Sequence, residues 1–124
     1  MFKIKKDTFY VTRGDKGVFD LSLDDYTFKV EDVIHFKIYE AQGLNKPPVK
    51  DIVIEVKEEQ DVLEVEFTSE NTRFGEMLNE EKEYWYEIEL NGNQTPYCFD
   101  EKGPKMFLLY PEGADSDVEG ETNS

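Results

Sequence analysis

Residues 84–95 read Tyr-Trp-Tyr-Glu-Ile-Glu-Leu-Asn-Gly-Asn-Gln-Thr, and this stretch decides the fold class. Its apolar side chains recur at every second position and alternate with Trp85, Glu87 and Glu89, which is typical of a strand with one buried face. Asn91-Gly92 follows and accepts the positive φ angles of a two-residue type I′ turn. The stretch therefore predicts one strand of a β-hairpin and the turn that closes it.

The same alternation returns along most of the chain. Five further runs carry it, at residues 8–12, 19–24, 34–39, 52–57 and 63–68, and weaker candidates lie at 95–99 and 105–110. Seven or eight short strands separated by turn residues predict an all-β fold, either a β-sandwich or a barrel, and of these we predict an antiparallel β-sandwich. Its predicted core consists of Phe19, Leu21, Ile34, Phe36, Ile38, Ile54, Val56, Leu63, Val65, Phe67, Tyr86, Ile88 and Leu90.

One segment breaks the alternation, at residues 69–78. Phe74, Met77 and Leu78 stand at helical spacing, and Thr68 or Ser69 can cap a first helical turn. The segment therefore predicts one or two helical turns that cross between the two sheets.

A second segment lacks the apolar residues that folding requires. Residues 112–124 contain five acidic side chains, no basic one, and a single apolar side chain larger than alanine, Val118. Burial of so little apolar surface cannot offset the entropy cost of ordering the chain. We therefore predict a β-sandwich domain over residues 1–111 and a disordered acidic tail over residues 112–124.

Charge and composition exclude several classes of function. The formal net charge of −15 disfavours binding to the phosphates of nucleic acids and to anionic membranes. The single cysteine and single histidine leave no cysteine-based zinc cluster and no repeated histidine ligands. The first residues carry charge but no apolar signal-peptide core. We therefore expect a chain without catalytic activity, cofactor or metal, and without secretion through a signal peptide.

The tripeptide Arg13-Gly14-Asp15 has two interpretations. It is the sequence that integrins bind, but three residues match by chance often, and here they lie where the chain must turn between two predicted strands. We therefore interpret Arg13, Gly14 and Asp15 as a structural turn.

Aromatic and apolar residues supply the candidates for contact with a partner. Trp85 points away from the predicted core, so it is either covered by other parts of the chain or available for a protein or sugar. Residues 106–110 are all apolar or aromatic and leave the last strand without a polar face. One face of this strand, with Phe107 and Leu109, either lies under the crossover around Phe74 or meets another chain. Trp85, Phe107, Leu109 and Phe74 are therefore the partner-contact candidates.

Four phrases stand in a distinctive order along the chain. They are TRGD at 12–15, YTFKVEDVIHFKI at 26–38, LEVEFTSENT at 63–72 and YWYEIEL at 84–90. This order resembles small proteins from tailed phages and prophages of Gram-positive bacteria, in particular the N-terminal β-sandwich of the baseplate upper protein family. The resemblance covers about residues 8–110. Ser69-Glu70-Asn71 departs from the Pro-Glu-Asp of the family, and Glu87 stands where aspartate is usual.

The resemblance implies an immunoglobulin-like (Ig-like) sandwich without catalytic residues. It implies a structural protein of a phage or prophage, a tail or baseplate interaction module whose partners are other virion proteins or a second copy of the chain. Such a protein would occupy the bacterial cytoplasm during assembly and then the virion. The alternative, which the aromatic residues alone suggest, is a carbohydrate-binding module that stacks a sugar on Trp85 or a tyrosine.

Overall fold

Nine β-strands occur in the residues that the computed structural model describes, which are 1–41, 47–75, 79–97 and 105–112. In chain order the strands are β1 (Phe2–Lys5), β2 (Thr8–Thr12), β3 (Gly17–Leu21), β4 (Val33–Tyr39), β5 (Lys50–Glu55), β6 (Leu63–Phe67), β7 (Lys82–Leu90), β8 (Asn93–Gln94) and β9 (Met106–Tyr110). No helix that could cross a lipid bilayer occurs in these ranges.

The strands form two sheets, and this confirms the prediction of an all-β, sandwich-like fold. The larger sheet has the order β1-β2-β9-β7-β4-β5, and the short strand β8 pairs with the end of β7. The smaller sheet pairs β3 with β6. One pair departs from the antiparallel expectation, because β2 and β9 run parallel. The side-chain alternation is the same in parallel and antiparallel strands, so a single strand's pattern cannot reveal the direction of its neighbour.

The hairpin that the sequence predicts after β7 is present. Asn91 and Gly92 have φ angles of 52° and 85°, as a type I′ turn requires. The Asn91 side chain accepts a hydrogen bond from the Val33 amide at 2.9 Å and donates one to the Asp32 carboxylate at 3.0 Å. Hydrogen bonds to this carboxylate, first that from the Tyr26 hydroxyl at 2.6 Å, lower the pKa of Asp32. The Asn91 side chain thereby connects the end of β7 to Asp32 and to the first residue of β4.

The core lies between the two sheets, and among the described residues eight of its 18 buried hydrophobic side chains are aromatic. All predicted core residues are buried except Phe19, Ile54 and Leu90, which are half-buried and pack against the core. The predicted core did not include eight further buried hydrophobic side chains, which are Phe9, Val11, Phe28, Ile52, Phe74, Tyr84, Phe107 and Leu109.

The crossover after β6 contains no helix in its described part, so the prediction of helical turns is wrong there. Three consecutive hydrogen bonds between residues three apart run from Thr68 to Arg73 and form turns. The Asn71 side chain accepts a hydrogen bond from the Thr68 amide at 2.8 Å, so it offers the backbone an alternative to a helix. Gly75 has a φ of 72°, which a helix does not accept.

Some predictions fall outside the described residues. These are the predictions for Met77 and Leu78, for Cys98 and Phe99 at the end of the weak candidate strand, and for residues 113–124 of the acidic tail. Glu112, the first residue of the predicted tail, is described, and its carboxylate lies 3.0 Å from the Arg73 guanidinium.

Candidate functional site

The larger sheet has one face on the core and one face toward solvent, and the solvent face carries several large apolar side chains. Five of them form what we call the outer strip. The outer strip consists of Tyr10 on β2, Tyr39 on β4, Trp85 on β7, and Met106 and Leu108 on β9. All five side chains are half-buried, although they lie on the side of the sheet away from the core.

Strand register makes the outer strip continuous. Trp85 is directly opposite Tyr39 on one side and Met106 on the other. Tyr10 is opposite Leu108, two residues along β9 from Met106. Directly opposed side chains on neighbouring strands have their Cβ atoms about 4.5–5.5 Å apart, so these residues share one surface that crosses four strands.

Charged residues border the outer strip on two sides. At the β1 border, the Lys3 ammonium lies 5.7 Å from the centre of the Tyr10 ring. An open recess of about 370 Å³ begins there, lined by Met1, Lys3, Lys5, Tyr10 and Tyr110. At a second border, further along β4 and β7, the Lys37 ammonium lies 2.9 Å from the Glu89 carboxylate. The border near β1 is therefore locally basic on a chain of strongly acidic composition.

Glu87 lies two residues from Trp85 on the same face of β7 and is buried. Burial disfavours its charged form, and the neighbouring Glu89 adds repulsion, so the pKa of Glu87 is raised despite the attraction of Lys37. An acid with a raised folded-state pKa contributes stability below its unfolded pKa of about 4.3. That contribution is lost as the pH rises through the folded-state pKa. Ionised Glu87 therefore opposes folding at neutral pH.

We expect Glu87→Gln to raise the melting temperature by a few degrees at pH 7 and to change it little near pH 4. The substitution keeps the shape of the side chain and removes the charge that burial and Glu89 disfavour. Glu83→Gln is the control, because Glu83 is exposed on the same face of the same strand. Thermal unfolding followed by circular dichroism at both pH values tests the prediction, and equal shifts at pH 4 and pH 7 would contradict it.

The partner-contact candidates separate into two groups. Trp85 lies in the outer strip. Phe107, Leu109 and Phe74 are buried, with exposed fractions of 0%, 5% and 6%, so their interpretation as partner contacts is wrong. The Phe74 ring packs 5.8 Å from Phe107 and 5.0 Å from Tyr84, measured between ring centres. The crossover therefore covers this face of β9, and the opposite face of β9 contributes to the outer strip.

Arg13, Gly14 and Asp15 lie between β2 and β3, where the backbone turns. Gly14 has a φ of 88°, and its amide donates to the Thr72 hydroxyl at 2.9 Å. The Arg13 guanidinium turns inward and donates to the Phe74 carbonyl oxygen. The turn thus connects the crossover to the larger sheet through hydrogen bonds. The Arg13 side chain is directed inward, whereas an integrin ligand would present it to solvent.

Tyr10, Tyr39, Met106 and Leu108 are not among the contact residues predicted from the sequence. Alternation places Tyr10 and Tyr39 on the outward faces of their strands, and this signal was available. What single-strand patterns do not contain is the strand order, which brings β2, β9, β7 and β4 side by side. Only that order joins scattered outward residues into one surface.

No cluster of three or more residues suited to hold a metal ion occurs in the described ranges. Comparison of the chain with protein-family models, with curated proteins and with solved structures found no match.

Proposed function

We propose that this chain is a structural protein of a phage or prophage, an Ig-like interaction module of the tail or baseplate, and that the outer strip is the surface that contacts its partner chain. The proposal combines the resemblance of the four sequence phrases with the chemistry of the outer strip. It assigns the chain no catalytic role.

The strand order supports the Ig-like part of the proposal. In an Ig-like sandwich, strands G, F, C and C′ are neighbours in one sheet, and strands B and E are neighbours in the other. Here β9, β7, β4 and β5 follow one another in the larger sheet, and β3 pairs with β6. Tyr84 lies near the start of β7, and its hydroxyl packs against Gly75, where an added Cβ atom would come within 2.3 Å of it. That position corresponds to the tyrosine at the E–F corner of many Ig-like domains.

The composition of the outer strip is the main support for the proposal that this surface contacts a partner chain. Contiguous apolar patches on the surface of a soluble protein commonly mark contacts. Tyrosine, tryptophan and methionine are enriched in protein interfaces, and tryptophan and tyrosine dominate their binding energy. Four of the five residues of the strip are of these three types. Trp85 is at its centre, between Tyr39 and Met106.

We expect Trp85→Ala to weaken partner binding at least tenfold while the domain stays folded, because central aromatic residues contribute more than about 1.4 kcal/mol to many interfaces. The partners to test are the structural proteins encoded by the genes that flank this one, co-expressed and co-purified with the chain. Val53→Ala is the matched control, since Val53 is 53% exposed on the same face but outside the outer strip. Unchanged binding of Trp85→Ala to every partner that binds the wild type would contradict the proposal.

The carbohydrate-binding alternative is favoured by one specific feature, the recess beside the outer strip. Tyr10 and Tyr110 offer aromatic rings there, and Lys3 and Lys5 offer cationic donors that suit an acidic sugar. A glycan array separates the two functions. Glycan binding that is lost in both Tyr10→Ala and Trp85→Ala, without any bound protein partner, would replace the structural assignment with this one.

A further inference from the structure

β1 is held by few contacts. It is a four-residue strand that, among the described residues, pairs only with β2, at the edge of the larger sheet. Lys3, Ile4 and Lys5 are exposed, and only Phe2 is half-buried. The strand therefore depends on its ladder with β2, on the ion pair between the Met1 ammonium and Asp15 that precedes it, and on one anchoring side chain.

The Phe2 ring occupies a pocket formed by other strands, which we call the Phe2 seat. The Phe2 ring lies 5.7 Å from the ring of Phe67 and 6.2 Å from that of Phe9, between ring centres. Gly17 forms one wall, because a Cβ atom there would come within 2.1 Å of the Phe2 ring. Since β2, β3 and β6 contribute this seat, it can accept the Phe2 of any copy of the chain.

The turn between β1 and β2 is strained. Lys6 and Asp7 connect the paired residues Lys5 and Thr8, and their φ angles are 50° and 65°. A two-residue turn with both φ angles positive favours Asn-Gly, and lysine is rarely found in this conformation. The β7–β8 hairpin of the same chain has Asn91-Gly92 at the equivalent positions. The turn before β2 therefore stores strain that the other hairpin avoids.

We propose that β1 is an exchangeable strand, and that two copies of this chain form a dimer in which each β1 pairs with β2 of the other copy. Extension of the chain at Lys6 and Asp7 relieves the left-handed conformation, while the β1–β2 ladder and the Phe2 seat form again between copies. Short, strained hinges favour such exchange. The inference rests on β1 and its hinge, a different surface from the outer strip.

Three effects oppose the exchange, so we expect it only under some conditions. The buried Tyr86 hydroxyl donates to the Asp7 carbonyl oxygen at 2.7 Å, and extension of the hinge disrupts this hydrogen bond. The intramolecular hairpin benefits from a high effective concentration of β1 near its own β2. Each chain also carries a net charge of −15, so two copies repel each other. The dimer fraction should therefore rise with protein concentration, and also with salt, which screens the repulsion.

Hinge variants of the full chain test the exchange. Asp7→Pro forbids the turn, because proline holds φ near −65° and the residue before it prefers an extended conformation. We expect this variant to have twice the 14.5 kDa mass of the chain in light scattering. The double substitution Lys6→Asn, Asp7→Gly suits the turn and should remain monomeric at the same concentration. A folded, monomeric Asp7→Pro variant would overturn the proposal.

A disulfide identifies the exchanged strand. Lys5 and Thr8 are directly opposite across the β1–β2 ladder, outside the outer strip and at a separation that suits a disulfide. Two chains, each with Cys98→Ser and Asp7→Pro, are prepared with Lys5→Cys in one and Thr8→Cys in the other. Mixed under oxidising conditions, they should yield a covalent heterodimer. A dimer that contacts only through the outer strip would not yield it, and its absence from a dimeric sample would overturn the proposal.

If Asp7→Pro does not fold, refolding of the wild-type chain tests strand exchange instead. The wild-type chain is then unfolded and refolded at high protein concentration, beside the Asn-Gly hinge variant. We expect a dimer fraction in the wild type that is at least tenfold larger than in the hinge variant. Equal dimer fractions would overturn the proposal.

Discussion

Phe36→Ala is expected to lower the free energy of unfolding by about 3–5 kcal/mol, a range found for large aromatic side chains removed from cores. The Phe36 ring lies at the centre of the aromatic core. Its centre is 4.8 Å from that of Tyr86, 5.0 Å from that of Phe67 and 5.2 Å from that of Phe9. These neighbours come from three other strands in both sheets, so the cavity left by alanine cannot close by movement of one element.

Urea unfolding at pH 7 measures the Phe36→Ala effect. Val53→Ala serves as control, because Val53 is exposed and its loss should change the free energy of unfolding by less than about 0.5 kcal/mol. A loss below about 1 kcal/mol for Phe36→Ala would show that Phe36 is not packed between the two sheets as described.

Phe107→Asp is expected to prevent folding. Phe107 is fully buried, and its ring stacks 5.5 Å from that of Phe9. An aspartate there would place a carboxylate among the rings of Phe9, Phe36 and Phe74. An uncompensated buried charge costs several kcal/mol, which is comparable with the whole stability of a small domain. Leu109→Asp should have the same result, because Leu109 is also buried.

Leu108→Asp is the matched control for Phe107→Asp. It changes the next residue of β9, which faces the outer strip on the opposite side of the sheet and is half-buried. We expect this variant to fold with native circular dichroism and to lose partner binding. If Phe107→Asp folded and Leu108→Asp did not, the assignment of the two faces of β9 would be reversed.

Period-two alternation accounts for most of what the sequence alone determines about this protein. In strands β4, β6 and β7, apolar and polar residues alternate, and the side of each strand that enters the core follows directly from that local pattern. Asn91-Gly92 specifies its hairpin for an equally local reason, since few other residue pairs accept two positive φ angles. The all-β class and most of the core residues can therefore be predicted without any knowledge of neighbouring strands.

The faces of β9 could not be predicted in this way, because all five residues from Met106 to Tyr110 are apolar or aromatic. Local alternation cannot show which of two apolar faces is buried. Phe107 is buried by contacts with residues distant in the chain, which are Phe9, Phe36 and Phe74. The parallel pairing of β2 with β9 and the continuity of the outer strip depend likewise on contacts between residues far apart in the chain. Tertiary structure decided these features, because the free energy of burying a side chain depends on which distant residues cover it.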